Sequence, residues 1–249
     1  MKTVLTCIIL AFVIALFGCD TGNSPSGTQP EASNTRPIVC LGDSLTEGYG
    51  ATVQGVVDLS KSYPAFLQEK LSVSVINAGI SGDTAAGGLL RLDHDVLDKN
   101  PQVVIILLGA NDFMSMPPRP VADTKADLQA IINKLKHITR KIYLASFIGD
   151  SDLEADMLET ILNEGGIPEN MRDTLAPILS ASLSGYKDMF TELYSENGDI
   201  GSIPDIWAGI KREDHMSDPI HPNAAGYEIM AGNIFNAIKP YLEEKDLLK

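Results

Sequence analysis

The feature that most limits the fold is an unbroken apolar run at residues 103–108, near the middle of the 249-residue chain. A strand that faces solvent on one side alternates apolar and polar residues, whereas a strand buried on both faces is apolar throughout. Such strands are typical of parallel sheets, in which crossover connections place helices on both faces. The run therefore predicts a parallel sheet between two layers of helices.

Other segments fit the same architecture. Short apolar stretches predict four more strands, at residues 38–41, 73–76, 142–147 and, less regularly because of Pro204, about 200–206. One helix is predicted after Asp123 as N-cap, with an apolar face of Leu128, Ile131, Ile132, Leu135 and Ile138. Another has Pro222 in its first turn, followed on one side by Tyr227, Met230, Ile234, Ile238 and Tyr241. This alternation predicts a three-layer α/β fold.

The start of the chain predicts export and a lipid anchor. Lys2 precedes fourteen apolar or small residues at 4–17, which are too few for a membrane span of about 20 residues and suit a signal peptide. Gly18-Cys19 then resembles the lipobox of bacterial lipoproteins. We interpret residues 1–18 as a lipoprotein-type signal peptide and Cys19 as the lipidation site. An ordinary cleaved signal with an incidental Cys19 and an uncleaved anchor are the alternatives.

Residues 19–36 continue without one large apolar side chain. Such a segment buries too little surface to offset its ordering entropy, and it predicts a flexible tether. The expected protein is a membrane-anchored lipoprotein of the bacterial cell envelope, facing the periplasm or the exterior, with its folded domain at residues 37–249. Cys40 would be its only free thiol, and we expect it to be a buried structural residue rather than a nucleophile.

Charge and motif content exclude several classes of function. The chain has 19 Lys and Arg against 33 Asp and Glu, which argues against nucleic acid, whose binding needs clustered cations. No cluster of His, Cys, Asp and Glu has metal-ligand spacing, and no glycine-rich loop suits a phosphate. We expect no metal, no cofactor, no nucleic-acid partner and no obligate protein partner.

Polar residues follow three of the predicted strands, where ligands of parallel α/β sheets bind. The segments are Gly42-Asp43-Ser44-Leu45-Thr46, Asn77-Ala78-Gly79 and Gly109-Ala110-Asn111-Asp112, with Asp218-Pro219-Ile220-His221-Pro222-Asn223 near the C-terminus. Acyl transfer by a serine needs a histidine base, a carboxylate that orients it, and donors for the oxyanion.

These segments supply a candidate for each role. Ser44 lies at a strand-to-helix turn, and His221 with Asp218 precedes the last helix. Gly79 offers an unshielded backbone N–H, and Asn111 offers a side-chain amide. Thr46 and Ser81 are weaker nucleophiles by position. His94 and His137 are expected on solvated helix surfaces, and His215 is close enough in sequence to His221 to line the pocket.

The blocks Gly42-Asp-Ser-Leu-Thr, Asn77-Ala-Gly-Ile-Ser-Gly-Asp-Thr84, Leu108-Gly-Ala-Asn-Asp112 and Asp218-Pro-Ile-His-Pro-Asn223 resemble the signature blocks of the SGNH (GDSL) hydrolases. The likeness covers nearly all of residues 37–249 and is greatest to bacterial arylesterases and acyl-CoA thioesterase/lysophospholipases. It implies a flavodoxin-like sandwich with a five-stranded sheet. It also implies a nucleophile at Ser44, a base at His221 oriented by Asp218, and oxyanion donors at Ser44, Gly79 and Asn111.

The implied substrate is a small ester or lipid ester, cleaved through an acyl-enzyme. Deacetylation of polysaccharide or peptidoglycan, and a non-enzymatic binding lipoprotein on the same frame, are the alternatives. Residues 150–184 form a longer segment than in compact thioesterase members. Two apolar stripes around Gly165-Gly166 predict a helical insertion that covers the acyl side of the site or packs away from it, namely Leu153, Met157, Leu158, Ile161 and Leu162, then Met171, Leu175, Ile178, Leu179 and Leu183.

Overall fold

The computed structural model describes residues 36–53, 56–149, 158–159, 161–163 and 167–249. The expected signal peptide, Cys19 and nearly all of the expected tether lie outside these residues, as do Leu153 and Met157 of the insertion. Thr35–Lys249 form one compact unit. Of the helices within the described ranges, none has the length and apolar character needed to cross a bilayer.

A five-stranded parallel sheet forms the centre of this unit. Its strands are β1 (Ile38–Gly42), β4 (Val75–Gly79), β5 (Val103–Leu107), β6 (Lys141–Ala145) and β7 (Gly201–Ile203). Two further strands, β2 (Thr52–Val53) and β3 (Val56–Val57), form a separate antiparallel pair. The sheet order is β4-β1-β5-β6-β7, and every neighbouring pair is parallel. Counted along the chain this is 2-1-3-4-5, the flavodoxin-like order, so the predicted α/β fold is confirmed.

Helices cover both sides of the sheet. They are α1 (Ser44–Glu47), α2 (Tyr63–Lys70), α3 (Ala85–Asp95), α4 (Ala110–Met114), α5 (Val121–Leu135), α6 (Glu169–Glu196), α7 (Arg212–His215) and α8 (Ala224–Glu244). Helix α3 packs against α5, which packs against α6, while α2 packs against α8. The three layers place the first residues of α1 and α4 at the carboxyl edge of the sheet.

The core lies in the two central strands. Every residue of β1 and β5 is buried, as the apolar run at 103–108 predicts. Cys40 is a buried free cysteine within β1. Burial raises the pKa of its thiol to about 12, against a small opposing effect of a hydrogen bond with Tyr63. Because the thiolate is the reactive form, Cys40 is a structural residue, as expected.

Several strand boundaries differ from those predicted. Strand β4 begins at Val75 rather than residue 73, because the Gln68 side chain donates to the Val73 carbonyl at 3.0 Å and accepts from the Val75 N–H at 2.8 Å. This capping holds Val73 outside the ladder, whereas the Ser74 carbonyl still accepts the Ile38 N–H of β1 at 2.9 Å. Strand β7 stops at Ile203 since the next residue, Pro204, has no N–H for a ladder. Strand β6 ends at Ala145, two residues earlier than predicted.

The predicted helix starts also need correction. Helix α5 begins at Val121 after Pro120, so Asp123 lies in its first turn and is not the N-cap. Ile138 lies beyond the end of α5 and is 39% exposed. Helix α8 begins after Asn223, whose side chain accepts from the N–H groups of Ala225 and Gly226. Pro222 therefore precedes this helix.

The described part of the insertion includes one long helix. The second apolar stripe lies on α6, which continues to Glu196 because buried residues recur along it as far as Leu193. Leu179 is buried, whereas Met171 and Ile178 are about half exposed, at 47% and 49%. Leu158, Ile161 and Leu183 pack against the core. These contacts make the described part of residues 150–184 a packing layer.

Candidate active site

Ser44 is positioned by the turn that joins β1 to α1. The Asp43 side chain caps this helix by accepting the Leu45 N–H at 3.0 Å. Ser44 is the first residue of α1, so its N–H has no helical carbonyl to bind. Among the described residues it has no other acceptor. The turn thus presents a serine hydroxyl together with an unused backbone donor.

His221 and Asp218 complete a continuous hydrogen-bonded chain with Ser44. His221 Nε2 lies 3.0 Å from Ser44 Oγ. On the other side of the ring, Nδ1 lies 2.8 Å from Oδ2 and 3.0 Å from Oδ1 of Asp218. When Nδ1 carries the proton and donates it to the carboxylate, Nε2 is left to accept from the serine hydroxyl. The structure therefore brings these three predicted residues together.

The turn at residues 217–222 fixes Asp218 and His221 relative to each other. Asp218 Oδ1 accepts the backbone N–H groups of Ile220 at 2.9 Å and His221 at 2.8 Å. Ser217 donates its N–H to the His221 carbonyl at 2.8 Å. Partial burial raises the pKa of Asp218, but the hydrogen bonds from Ile220 and His221 outweigh it and hold this pKa below its usual value. The carboxylate is thus ionised and oriented toward the ring.

A second segment supports the imidazole from its other side. The Tyr49 ring packs edge-on against His221, with ring centroids 4.7 Å apart. Gly50 has a φ of +95°, and a Cβ there would lie 2.9 Å from the His221 Cβ and 2.6 Å from the Pro222 carbonyl oxygen. Glycine is therefore required by both the backbone conformation and the close approach. The sequence signal was slight, since Gly48-Tyr49-Gly50 reads as an ordinary loop.

Asn111 projects from the start of α4, which follows β5. Its side-chain amide donates to the Asp83 carbonyl at 2.8 Å and lies 3.4 Å from Asp43 Oδ2. Asp43 directly precedes Ser44, so these contacts place the amide beside the nucleophile's turn. Asp112, next to Asn111, accepts the Ala85 N–H at 2.9 Å and pairs with Arg119 at 2.8 Å. This buried carboxylate ties α4 to the first turn of α3.

Gly79 is placed differently from what an oxyanion donor requires. Its N–H donates to Asn77 Oδ1 at 3.0 Å. A Cβ at Gly79 would lie 2.7 Å from the Glu47 Cα, so this glycine permits close packing of β4 against α1. The prediction for Gly79 is therefore corrected, because its donor is already used.

Gly82 has the properties that Gly79 lacks. It has a φ of +81°, nothing lies within 4 Å of the position of a Cβ, and its N–H has no acceptor among the described residues. The next residue, Asp83, accepts the Asn111 amide through its carbonyl. The signal in the sequence was the turn-forming Ser81-Gly82-Asp83.

Asp43 is a buried carboxylate at the floor of the site, 1% exposed. Burial raises its pKa to about 7, with further increases from Asp83 and Asp112 and an opposing hydrogen bond from the Leu45 N–H. No step of acyl transfer requires this group.

An apolar concavity lies beside Ser44 and His221. Its other lining residues are Leu45, Ala110, Phe113, Met114, Phe147, Trp207 and Ile220. The Trp207 indole N–H donates to the Phe147 carbonyl at 2.7 Å, which fixes this wall. The concavity has a volume of about 20 Å³, within a concave region of about 350 Å³ that includes open solvent. No described residue of the insertion lines it.

The other candidate bases lie elsewhere. His94 pairs with Asp95 on the surface, 83% exposed. His137 is exposed beyond the end of α5. His215 Nδ1 accepts the Lys211 N–H at 2.9 Å and does not line the concavity. The described residues contain no group of His, Cys, Asp and Glu that could hold a metal ion.

Comparisons with known proteins agree with this architecture. A family model described as the GDSL-like Lipase/Acylhydrolase family matches residues 40–229. The crystal structure of TesA superposes with a TM-score of 0.61 at 23% identity, covering 82% of this chain and 98% of that one. At this level of identity the superposition bears on the fold alone.

Curated relatives include several esterases. Esterase TesA of Pseudomonas aeruginosa is 26% identical over 222 residues, 86% of this chain and 92% of that protein. Acetylxylan esterase of Geobacillus stearothermophilus is 24% identical over 213 residues, 78% of this chain and 90% of that protein. An uncharacterized lipoprotein, YqeF of Bacillus subtilis, is 30% identical over 118 residues, 45% of this chain and 41% of that protein.

Proposed function

The chain belongs to the GDSL-like lipase/acylhydrolase family and is a hydrolase of ester bonds, and on this premise we propose that Ser44 is its nucleophile. His221 is the general base, and Asp218 holds the imidazole in the required tautomer. The observation that carries this proposal is the hydrogen-bonded chain from Ser44 Oγ through both ring nitrogens to the Asp218 carboxylate, at 3.0 and 2.8 Å.

The reaction proceeds in two acyl transfers. As Ser44 Oγ attacks the ester carbonyl carbon, its proton passes to His221 Nε2, and Asp218 stabilises the imidazolium. The imidazolium then protonates the leaving alcohol, whose bond to the carbonyl carbon breaks, and an acyl-Ser44 remains. A water molecule attacks this ester with His221 again as base, which releases the acid and restores the serine.

Three donors would bind the oxyanion. We assign the Ser44 N–H, the Gly82 N–H and the Asn111 side-chain amide, with Gly82 in place of Gly79. The two backbone groups have no acceptor among the described residues, and an unused donor needs no rearrangement to receive a developing charge. The Asn111 contact with Asp43 is long, at 3.4 Å, so that hydrogen is readily redirected.

The test is Ser44→Ala, assayed on an aryl acetate. Only a hydroxyl is lost, so we expect activity to fall by about 10⁴-fold or more while the melting temperature changes little. Thr46→Ala is the matched control, since Thr46 is a buried hydroxyl two residues away that bonds Tyr63. It should cost stability and leave turnover largely intact. A folded Ser44→Ala protein with wild-type activity would disprove the assignment.

The apolar concavity supports a short acyl group. Its volume of about 20 Å³ is on the order of one water molecule, which is also the scale of a methyl group. The lining offers no charge to an acyl chain, so a small apolar acyl group is the favoured occupant. An O-acetylated carbohydrate is the second candidate substrate, favoured by the same small volume and by the similarity to an acetylxylan esterase.

Chain-length profiles separate these possibilities. With aryl esters of about two to sixteen carbons, we expect kcat/KM to be greatest for the shortest chains, since each misplaced methylene costs about 1–3 kcal/mol. Met114→Ala should shift the optimum to longer chains. Met116→Ala is the control, because Met116 is exposed and does not line the concavity. An acetylated xylo-oligosaccharide cleaved faster than the aryl acetate would favour the carbohydrate.

For location, we propose a lipoprotein of the cell envelope, anchored through Cys19. The support is the short apolar run before Gly18-Cys19, together with the similarity to a lipoprotein. In cells, the full-length protein should fractionate with membranes, and Cys19→Ser should release it or leave it unprocessed. Wild-type protein that is soluble and cut at another position would contradict the anchor.

A further inference from the structure

Arg91 lies beneath the loop that carries Gly82. Its guanidinium makes four hydrogen bonds, two to backbone carbonyls and two to carboxylates. Nη2 donates to the Gly42 carbonyl at 2.8 Å, and Nη1 donates to the Ala78 carbonyl at 2.8 Å. Nε donates to Asp83 Oδ2 at 2.6 Å, and Nη1 also contacts Asp95 Oδ2 at 2.9 Å. The side chain is only 15% exposed.

These acceptors belong to the parts of the fold that hold the oxyanion donors. Gly42 ends β1 two residues before Ser44, and Ala78 lies at the end of β4. Asp83 follows Gly82 directly, and its carbonyl accepts the Asn111 amide at 2.8 Å. One guanidinium therefore links the strand that precedes Ser44 to the loop that carries Gly82 and accepts the Asn111 amide.

The same loop is held from its opposite end by Glu47, the last residue of α1. Glu47 Oε2 accepts the Ser81 N–H at 2.9 Å and also accepts the Ser81 hydroxyl. Residues 81 and 83 are thus both anchored by side chains, while the Gly82 N–H between them has no acceptor within the described ranges. A peptide held on both sides keeps its N–H direction even though it is exposed.

We propose that Arg91 is a positioning residue for catalysis, which sets the Gly82 and Asn111 donors relative to Ser44. This role rests on the proposed function of the site. Arginine suits it because a planar guanidinium presents several donors in fixed directions, whereas a lysine ammonium is a point charge on a flexible stem. Arg91 touches no reacting atom, and its effect is exerted through the loop.

Arg36 provides a matched control at the other edge of the sheet. Its guanidinium donates to the carbonyls of Asn100, Pro101 and Ile138, each at 2.8 Å. These carbonyls precede β5 and β6, at the amino ends of the strands. Arg36 therefore makes the same kind of backbone link as Arg91, but it is remote from Ser44.

The experiment compares Arg91→Met with Arg36→Met in steady-state hydrolysis of an aryl acetate, with melting temperatures recorded for both. Methionine keeps an apolar stem and removes the donors. For Arg91→Met we expect kcat to fall by about 10- to 100-fold, the scale of a misplaced catalytic group, with KM within about twofold of wild type. Arg36→Met should lower the melting temperature and leave kcat within about twofold.

Three results would overturn the proposal. They are a folded Arg91→Met enzyme with wild-type kcat, a change confined to KM, and an equal fall in kcat for Arg36→Met. If Arg91→Met does not fold, Arg91→Lys decides instead, since an ammonium cannot span all four acceptors and kcat must still fall at constant KM. Ser44→Ala in the same assay distinguishes failure of the proposed function from failure of the positioning role. If Ser44→Ala stays active, the proposed function fails, whereas an inactive Ser44→Ala beside a normal Arg91→Met refutes only the positioning role.

Discussion

At each edge of the sheet an arginine donates to backbone carbonyls, but only the carboxyl edge also carries Ser44 with open backbone donors beside it. At the amino edge, Arg36 donates to three backbone carbonyls. Gln102 donates its N–H to the Pro37 carbonyl, and its own carbonyl accepts the Lys141 N–H. At the carboxyl edge, Arg91 likewise donates to two backbone carbonyls. The N–H groups of Ser44 and Gly82, however, have no acceptor among the described residues.

This difference separates stability from chemistry. A buried polar group left without a partner costs free energy of folding. Ser44 is only 7% exposed, so its open N–H is not explained by stability. At the carboxyl edge the chain instead keeps two backbone donors open, a glycine at positive φ beside His221, and a buried carboxylate in Asp43. The two open donors are useful because they meet a negative charge that develops during the reaction without having to move. Substitutions at the amino edge should therefore lower the melting temperature and spare kcat, whereas substitutions at the carboxyl edge should lower kcat.

Among the substitutions that test this difference between the two edges, Asn111→Ala should have the largest effect on kcat. Removal of one oxyanion donor costs about 2.7–4 kcal/mol in the transition state, which is a fall of about 10²–10³ in kcat with little change in KM. Gln102→Ala, at the amino edge, should lower the melting temperature and spare kcat, because Gln102 is buried far from the concavity. A loss in KM alone would make Asn111 a group that binds substrate in the ground state.

The sequence predicts the residues of this site that lie in short motifs, but it does not predict the hydrogen bonds among their neighbours. Ser44, Asp218 and His221 are predicted as site residues because each lies in a short motif at a predicted strand or helix boundary. The sequence predicts Gly79 as a donor because no side chain shields its N–H and because of the family resemblance. In the structure, Asn77, two residues away, accepts the Gly79 N–H through its side chain. Which of two neighbouring amides is free depends on side-chain hydrogen bonds that a motif does not encode.

A smaller effect is expected from Gly50→Ala. The added methyl meets the His221 Cβ at 2.9 Å, so the imidazole must move away from Ser44. We expect kcat to fall by roughly tenfold, since misplacement of a catalytic group by a fraction of an ångström weakens proton transfer.

Gly209→Ala is the matched control for Gly50→Ala. Gly209 also has a positive φ, of +81°, but a Cβ there meets only Ile229 at 3.8 Å. It should share the loss of stability from backbone strain and keep its turnover. If both variants lose turnover equally, strain alone explains the result and the support of His221 by Gly50 is refuted.

The smallest effect concerns the pH dependence of stability. The pKa of Asp43 is raised to about 7 by burial, whereas an exposed aspartate in the unfolded chain titrates near 3.9, so the folded protein retains a proton that the unfolded chain releases. Through this group the free energy of unfolding therefore decreases as pH rises from about 4 to about 7.

Asp43→Asn removes that pH-dependent loss, because an amide keeps the acceptor for the Leu45 N–H and carries no charge. The melting temperature of the variant minus that of wild type should grow by a few degrees between about pH 4 and about pH 7, then level off. A difference that stays constant across this range would show that Asp43 is ionised throughout. Burial of the Asp43 carboxylate would then not lower the stability of the fold as the pH rises.

The fold itself was predictable in outline because it depends on local pattern. The apolar run at 103–108 and the stretch at 38–41 predict the two buried central strands. Contacts distant in sequence set the boundaries, as when Gln68 caps Val73 and Val75. The sequence does not predict the role of Arg91 for the same reason, since its partners Gly42 and Ala78 are 49 and 13 residues away.

The most direct test of the account is covalent labelling of the nucleophile. An aryl alkylphosphonate offers a tetrahedral phosphorus that Ser44 Oγ attacks while its proton passes to His221. The bond from phosphorus to the aryl oxygen breaks, an aryloxide leaves, and a stable phosphonyl-serine adduct remains. Incubated with the full chain and followed by intact mass and peptide mapping, it should modify one residue, Ser44, in step with loss of activity. His221→Ala should slow this labelling by several orders of magnitude, because the base is gone. An adduct on Thr46 or Ser81, or full inactivation without modification of Ser44, would contradict the central claim.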